Sequence, residues 1–227
     1  MEETKRRRYI IRAVLEGEVD VSEEPAPPQP DIIYDWDFTQ SLVDSVNGST
    51  AAINSTSYGT IEQNANGLEY TVSSANSLAG NVKCADVVLT PGDTAEFEIE
   101  TDALFSGNSG TRGPIYRLFN GTILEILNPG IMVIGFRGQY DKFFAWYGNG
   151  WKDVFSAEDP NFFNGKKVKI TVEENGNLKV YADDVLIGTL GTTSQTYTGL
   201  CFGNANAAKK ETYGDMTIKN LRVTRAV

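Results

Sequence analysis

The run from Thr94 to Thr101 alternates without a break: Ala95, Phe97 and Ile99 take every second position, and Glu96, Glu98 and Glu100 fill the positions between. Successive side chains of a strand point to opposite faces, so this pattern describes a strand with one face in a core and one in water. The same grammar recurs from Asp31 to the end of the chain. DIIYDWDF opens it, and PIYRLFNG and TILEILN follow Glu100. GIMVIGF and KFFAWYG are more uniformly apolar, as expected of strands covered on both faces. KKVKITV and NLKVYADD alternate on either side of Asn175-Gly176, a hairpin-turn dipeptide. VLIGTLG, YTGLCFG and MTIKNLRVTRA complete the set, and no stretch of about eleven residues holds a helical period. Short strands at this spacing, separated by turn residues, specify a sandwich or a barrel.

Residues 1–30 are of a different kind. Arg6, Arg7 and Arg8 form a basic cluster, and Tyr9, Ile10 and Ile11 begin a β-prone run. From Pro25 to Pro30 the sequence PAPPQP places four prolines in six residues. Such a segment favours extended polyproline II and forbids a helix or a central strand. The expectation is an extended N-terminal docking arm over residues 1–30 and one β domain over residues 31–227. The run before the prolines is too short to bury a core, but it suits pairing with a sheet edge on another protein.

Charge and composition remove several functions. The formal net charge is −10, whereas nucleic-acid binding needs a basic surface that displaces counterions from phosphates; no nucleic-acid partner is expected. Without a single histidine, His-based triads, dyads, general bases and mixed zinc sites are excluded. Cys84 and Cys201 both lie in apolar strand-like stretches and read as buried free thiols. The apolar run after the arginines is broken by Arg12 and leads into acidic residues without a small-residue cleavage motif. It does not read as a secretory signal, and no stretch reaches the ~18 apolar residues of a membrane span. Synthesis in a cytoplasm and no membrane insertion are the expectations.

Three sets of side chains are candidates for chemistry. Glu96, Glu98 and Glu100 invite a glycoside hydrolase or lyase reading, because i and i+2 residues share a strand face about 6–7 Å apart. The run lacks a central Asp, and a solvated charged face is the favoured reading. Asp86, Asp93, Asp102, Asn108, Asn149, Asp153 and Asp159 offer oxygen ligands for Ca²⁺, but no contiguous calcium loop joins them; no cofactor is expected, with Ca²⁺ as the exception left open and a metal site unassigned. The aromatic stretch Tyr140, Phe143, Phe144, Trp146, Tyr147 and Trp151 offers ring faces that stack on sugars, with Asn149 to orient hydroxyls. Phe144 and Trp146 share one face of a strand, Phe143 and Tyr147 the other, and one set belongs to the core. Trp146, Tyr147, Asn149, Trp151 and Tyr140 form the expected ligand-binding set.

Ordered motifs carry a resemblance. Trp36-Asp37-Phe38-Thr39 with Ser41, Leu42, Asp44, Asn47 and Gly48 resembles the first strand and loop of concanavalin A-like (laminin-G-like) domains. TAEFEIETD, from Thr94 to Asp102, resembles that family's long central strand. Lys169-Ile170-Thr171-Val172 through Leu178-Lys179-Val180-Tyr181-x-Asp183-Asp184 resembles its hairpin, with Asp184 where the family usually has glycine. Asp215 to Val223 resembles the final strand, which returns beside the first. The resemblance implies an all-β, two-sheet antiparallel jelly-roll sandwich, a fold shared by lectins, glycanases and adhesins. A lectin-like domain joined to a docking arm and without a secretory signal suits a bacteriophage virion-surface protein. The expected partners are other virion proteins, through the arm, and a glycan or cell-surface ligand; no catalysis is expected. The alternatives are a purely structural assembly or cement domain, for which a homo-oligomer is expected, and a glycosidase or lyase using Glu96, Glu98 and Glu100.

Overall fold

The computed structural model describes residues 29–55, 59–72, 80–101, 120–137, 142–157, 159, 161–205 and 215–226. The arm residues Arg6, Arg7, Arg8, Tyr9, Ile10 and Ile11, and Tyr140, lie outside them. In chain order the strands are β1 (Asp31–Asp37), β2 (Ala52–Ser55), β3 (Gly59–Asn64), β4 (Gly67–Val72), β5 (Gly80–Leu89), β6 (Asp93–Thr101), β7 (Asn120–Asn128), β8 (Ile131–Arg137), β9 (Lys142–Tyr147), β10 (Gly150–Lys152), β11 (Lys166–Val172), β12 (Leu178–Ala182), β13 (Val185–Leu190), β14 (Tyr197–Gly203), β15 (Met216–Ile218) and β16 (Asn220–Arg225). No helix occurs among the described residues.

The strands form two antiparallel sheets, a jelly-roll sandwich. The first sheet runs β13-β12-β11-β6 and then divides. Asp93–Glu96 at the start of β6 pairs with β16, which pairs in turn with β1; Ile99–Thr101 at its end pairs with β15, which leads to β4 and β3. The second sheet runs β10-β9-β8-β7-β14-β5-β2. The first and last strands lie side by side, with Trp36 opposite Leu221 and Tyr34 opposite Val223.

The period of two becomes a core between the sheets. Ala95, Phe97 and Ile99 are buried, and Phe97 and Phe38 pack edge-on against Phe202 of the opposite sheet at centroid distances of 5.1 and 6.2 Å. A second aromatic group joins Phe136, Phe143 and Phe163 at 5.2 and 4.8 Å. Edge-to-face geometry adds about 0.5–1.5 kcal/mol per ring pair beyond the area buried. Three tyrosines tie the sheets by hydrogen bonds: Tyr34 Oη donates to the Asp86 carbonyl (2.6 Å), Tyr70 Oη to the Phe202 carbonyl (3.1 Å), and Tyr197 Oη to the Gly176 carbonyl.

Turns and edges are closed by local chemistry. Asp44, buried at 2% exposure, accepts hydrogen bonds from the backbone N–H of Asp35 (2.5 Å), Val46 (3.2 Å) and Asn47 (2.6 Å), while Ser45 N donates to the Asp35 carbonyl (2.9 Å). The loop thereby covers the outer edge of β1, which would otherwise offer free pairing groups. The β12–β13 turn puts both Asp183 (φ 47°) and Asp184 (φ 63°) in the left-handed region. Asp tolerates that region better than most residues, and Lys166 and Lys169 hold the two carboxylates. At the start of β5, a Cβ on Gly80 (φ 134°) would sit 1.9 Å from the Asn54 carbonyl oxygen, so only glycine lets β2 and β5 close there.

At the start of β6 the buried Asp93 carboxylate accepts two hydrogen bonds from Arg225, both 2.8 Å, and two from Thr90, at 2.8 Å (N) and 3.0 Å (Oγ1). Burial pushes the carboxyl up, but Arg225 and Thr90 outweigh it and hold Asp93 below its ordinary range. A lowered carboxyl pKa stabilises the fold above the unfolded-state value and loses that contribution as pH falls through the folded one. Asp93→Asn is expected to lower the unfolding free energy at pH 7 by about 1–3 kcal/mol and to flatten its decline below pH ~4, as read by urea unfolding across pH.

The two thiols sit on neighbouring strands but face opposite ways. Cys84 lies across from Leu200 in the core, and Cys201 lies across from Lys83 on the other side of the sheet. A disulfide needs converging Cβ vectors, which opposed faces deny. Burial pushes Cys84 well above its ordinary value, and burial with the nearby Glu125 carboxylate pushes Cys201 up to about 12. Neither thiol is expected to react with a disulfide reagent at pH 8 in the native protein. Two should react at once in denaturant, counted by the released thiolate.

Candidate functional site

The two outward faces differ in chemistry. Across the first sheet, register aligns Asp35, Arg222, Glu96, Lys169, Tyr181 and Leu186 on β1, β16, β6, β11, β12 and β13. The charges alternate along this row and pair with their surroundings. Arg222 binds Asp35 (2.9 Å), Lys167 binds Glu96 (2.8 Å) and Lys219 binds Glu100 (2.5 Å). Hydrogen bonding to Glu96 holds the Lys167 ammonium above its ordinary range, and Glu100 does the same for Lys219. Glu98 lies opposite Lys167 and shares with Asp35, Glu96, Lys219 and Arg222 the lining of a shallow depression of about 530 Å³. The three glutamates thus stand on the outer face as their alternation predicts, and lysines from β11 and from the β15–β16 junction neutralise two of them.

The outward face of the second sheet carries another row. Lys83, Cys201, Glu125, Met132, Trp146 and Trp151 stand in register on β5, β14, β7, β8, β9 and β10. The turn that ends the row is built by Gly148 (φ 55°) and Asn149 (φ 69°), the two left-handed positions of a type I′ hairpin. That turn pairs Tyr147 with Gly150 and sets Trp146 opposite Trp151. The indoles meet at a centroid distance of 5.2 Å and an interplanar angle of 84°, and Trp151 meets Phe144 at 6.3 Å and 83°. Trp146 is 38% exposed, Phe144 is 9% and Met132 8%. The Lys142 ammonium stands 3.7 Å from the Asp153 carboxylate. The result is an aromatic corner at the sheet edge, with Trp146 exposed and Trp151 half-buried.

The structure brings Trp146 and Trp151 together. It sends Tyr147 to the other side: its ring packs against the core and its hydroxyl accepts a hydrogen bond from Gly191 N at 3.2 Å. Asn149 is exposed at the turn. Phe143 and Ala145 supply the core face of β9, which settles the choice between its two aromatic sets. Contrary to the uniformly apolar look of KFFAWYG, β9 is covered on one face only near its end. Glu125, half-buried with an oxygen accepting from Ala205 N at 2.8 Å, and Met132 were not anticipated; their place in one row with Trp146 depends on register between strands, which no local pattern carries. Of the oxygen ligands considered for Ca²⁺, Asp93 is committed to Arg225, Asp153 stands near Lys142, and Asp159 accepts from Asn161 N at 2.9 Å within its own turn. Among the described residues no three acidic or thiol side chains converge as metal ligands would.

No protein-family model and no curated protein sequence matches the chain. Solved structures share its fold. Domain 4 of AbnA, a GH43 extracellular arabinanase from Geobacillus stearothermophilus, in complex with arabinotriose, is 12% identical with a TM-score of 0.51, and the match covers 88% of this chain and 94% of that one. The receptor-binding domain of botulinum neurotoxin D is also 12% identical with a TM-score of 0.51, covering 86% of this chain. The chain spans about half the length of that receptor-binding domain, 49%. At such identity the likeness is one of fold: a two-sheet jelly-roll sandwich.

Proposed function

We propose that this protein is a non-enzymatic glycan-binding module displayed on a virion surface, with residues 1–30 as the arm that anchors it to other virion proteins. The observation that carries the binding reading is the accessible Trp146 indole, backed at a right angle by Trp151 at the sheet edge. Sugar rings have one apolar face and a polar rim, so an accessible indole matches the apolar face of such a ligand. The arabinotriose complex of the arabinanase domain lends the reading support by analogy of fold alone. The ladder on the first sheet favours binding over hydrolysis, because Glu96 and Glu100 are held by lysines. On the second sheet Glu125 is the one carboxylate in its register row, while a retaining hydrolase needs two about 5 Å apart. The arm rests on its sequence: a basic cluster, a β-prone run and a polyproline spacer that extends it.

A glycan array probed with the full chain, with and without Ca²⁺, is expected to give hits that Trp146→Ala weakens at least tenfold, about 1.4 kcal/mol, at a temperature where the variant's circular dichroism shows it still folded. An array blank under both conditions disposes of the binding reading. Deleting residues 1–30 is expected to leave sugar binding intact and to abolish incorporation into particles, measured by copurification; a truncated chain that still incorporates is not anchored by the arm.

A further inference from the structure

We infer that Asn149-Gly150 is a site of self-modification, at which the chain deamidates and the isoaspartyl product releases the turn that holds Trp146 against Trp151. The chemistry needs no partner but water. The Gly150 backbone nitrogen attacks Cγ of the Asn149 carboxamide, and the new C–N bond closes a five-membered succinimide. The Cγ–Nδ2 bond breaks, and Nδ2 leaves as ammonia with the proton that the backbone nitrogen gives up. Water then opens the ring at either carbonyl, leaving aspartate at position 149 or isoaspartate, in which the backbone runs through the side-chain carbon. A glycine after the asparagine favours the first step, because no side chain hinders the approach of its nitrogen.

The sequence holds six Asn-Gly dipeptides, and the fold treats them unequally. Four carboxamides are held in place. Asn47 Nδ2 donates to the Ile33 carbonyl (2.5 Å) and Asn66 Nδ2 to Glu69 Oε1 (2.7 Å); Asn164 Oδ1 accepts from Thr101 N (3.0 Å) and Asn175 Oδ1 from Asn177 N (2.9 Å). Two of the glycine nitrogens that would attack are engaged as well: Gly48 N donates to the Asp44 carbonyl (3.0 Å) and Gly176 N to the Glu173 carbonyl (2.8 Å). Asn120-Gly121 lies within the β7–β8 ladder, opposite Arg137 and Phe136. Asn149, by contrast, is exposed at the tip of an edge hairpin, in the left-handed conformation at φ 69°. Gly150 pairs with Tyr147, but β10 has three residues, Gly150–Lys152, and ends its sheet. Short edge segments open locally at a small fraction of the global unfolding free energy. Each opening frees the Gly150 nitrogen and lets the carboxamide swing over it.

The position gives the reaction a consequence. The Gly148-Asn149 turn sets Trp151 opposite Trp146, with the indoles 5.2 Å apart at 84°. Isoaspartate adds one methylene to the backbone at position 149, and both products add a negative charge at the tip. A two-residue type I′ turn matches the twist of its strands only at its own length, so the extra backbone atom costs β10 its register and Trp151 its place against Trp146. The change is slow and irreversible, and it sets a lifetime on the aromatic corner whatever the corner binds.

The test is a time course. The full chain is kept in warm, mildly alkaline buffer, sampled, digested and mapped by mass spectrometry with fragmentation that separates isoaspartate from aspartate. The peptide carrying Asn149 is expected to gain one mass unit at least fivefold faster than those carrying Asn47, Asn66, Asn164 and Asn175, and tryptophan fluorescence to change in step with its isoaspartate content. In denaturant the five rates are expected to come within threefold of one another. Asn149→Gly keeps a residue suited to the left-handed position and removes the carboxamide, so its fluorescence is expected to hold steady over the same period. Equal rates in the native protein, a lead for Asn149 that persists in denaturant, or a fluorescence change that runs as fast in the Asn149→Gly variant would each overturn the inference. None of these readouts involves a sugar, so a blank glycan array leaves them intact.

Discussion

The strand on which the fold depends is the last one. β16 enters between β1 and the start of β6, and it holds together segments from the two ends of the domain. Arg222 and Arg225 act as the rivets: the first binds Asp35, 187 residues away in sequence, and the second binds the buried Asp93. Closing a loop of that length costs entropy before any contact repays it. The return comes from a buried carboxylate with all of its bonds made, and from Trp36 and Leu221 entering the same core. The Asp44 loop then caps the free edge of β1, so the insertion also seals the sheet.

Two sheets with the same alternating grammar end with unlike outer faces. On the first, acids and bases from four strands and the β15–β16 junction interleave and satisfy one another in water, where each exposed pair contributes about 0–1 kcal/mol. Such a face is soluble and offers little to a ligand that cannot outbid the ion pairs. On the second, the outward row changes from polar side chains at β5 and β7 to aromatic ones at β9 and β10. The type I′ turn at Gly148-Asn149 makes that change possible, because it fixes which residue of β10 faces Trp146. Exposed aromatic surface on an otherwise charged protein is the less ordinary feature, and the functional proposal follows it.

Much of this was legible in advance, though unevenly. The strand at Ala95, Phe97 and Ile99 and the hairpin around Asn175-Gly176 are as the patterns imply, and the neighbouring first and last strands are as the resemblance implies. The aromatic stretch was identifiable as a candidate, but its division was not: Phe143 belongs to the core, Tyr147 turns to the inner side to meet Gly191, and Trp146 and Trp151 remain outside. The glutamate run was readable as a charged face, whereas its lysine partners come from β11 and Lys219, distant in sequence.

By itself the sequence determined many of the strands, though not β2, β3, β4 or β10, with their two-residue period and several of the turns, because these follow from the covalent geometry of the chain and from left-handed positions that few residues accept. Only the tertiary structure decided which face of each strand is buried, which row Glu125 and Met132 join, and that one indole stays accessible. Those outcomes depend on register between strands far apart along the chain, and a shift of one residue in a strand reverses every side chain it carries.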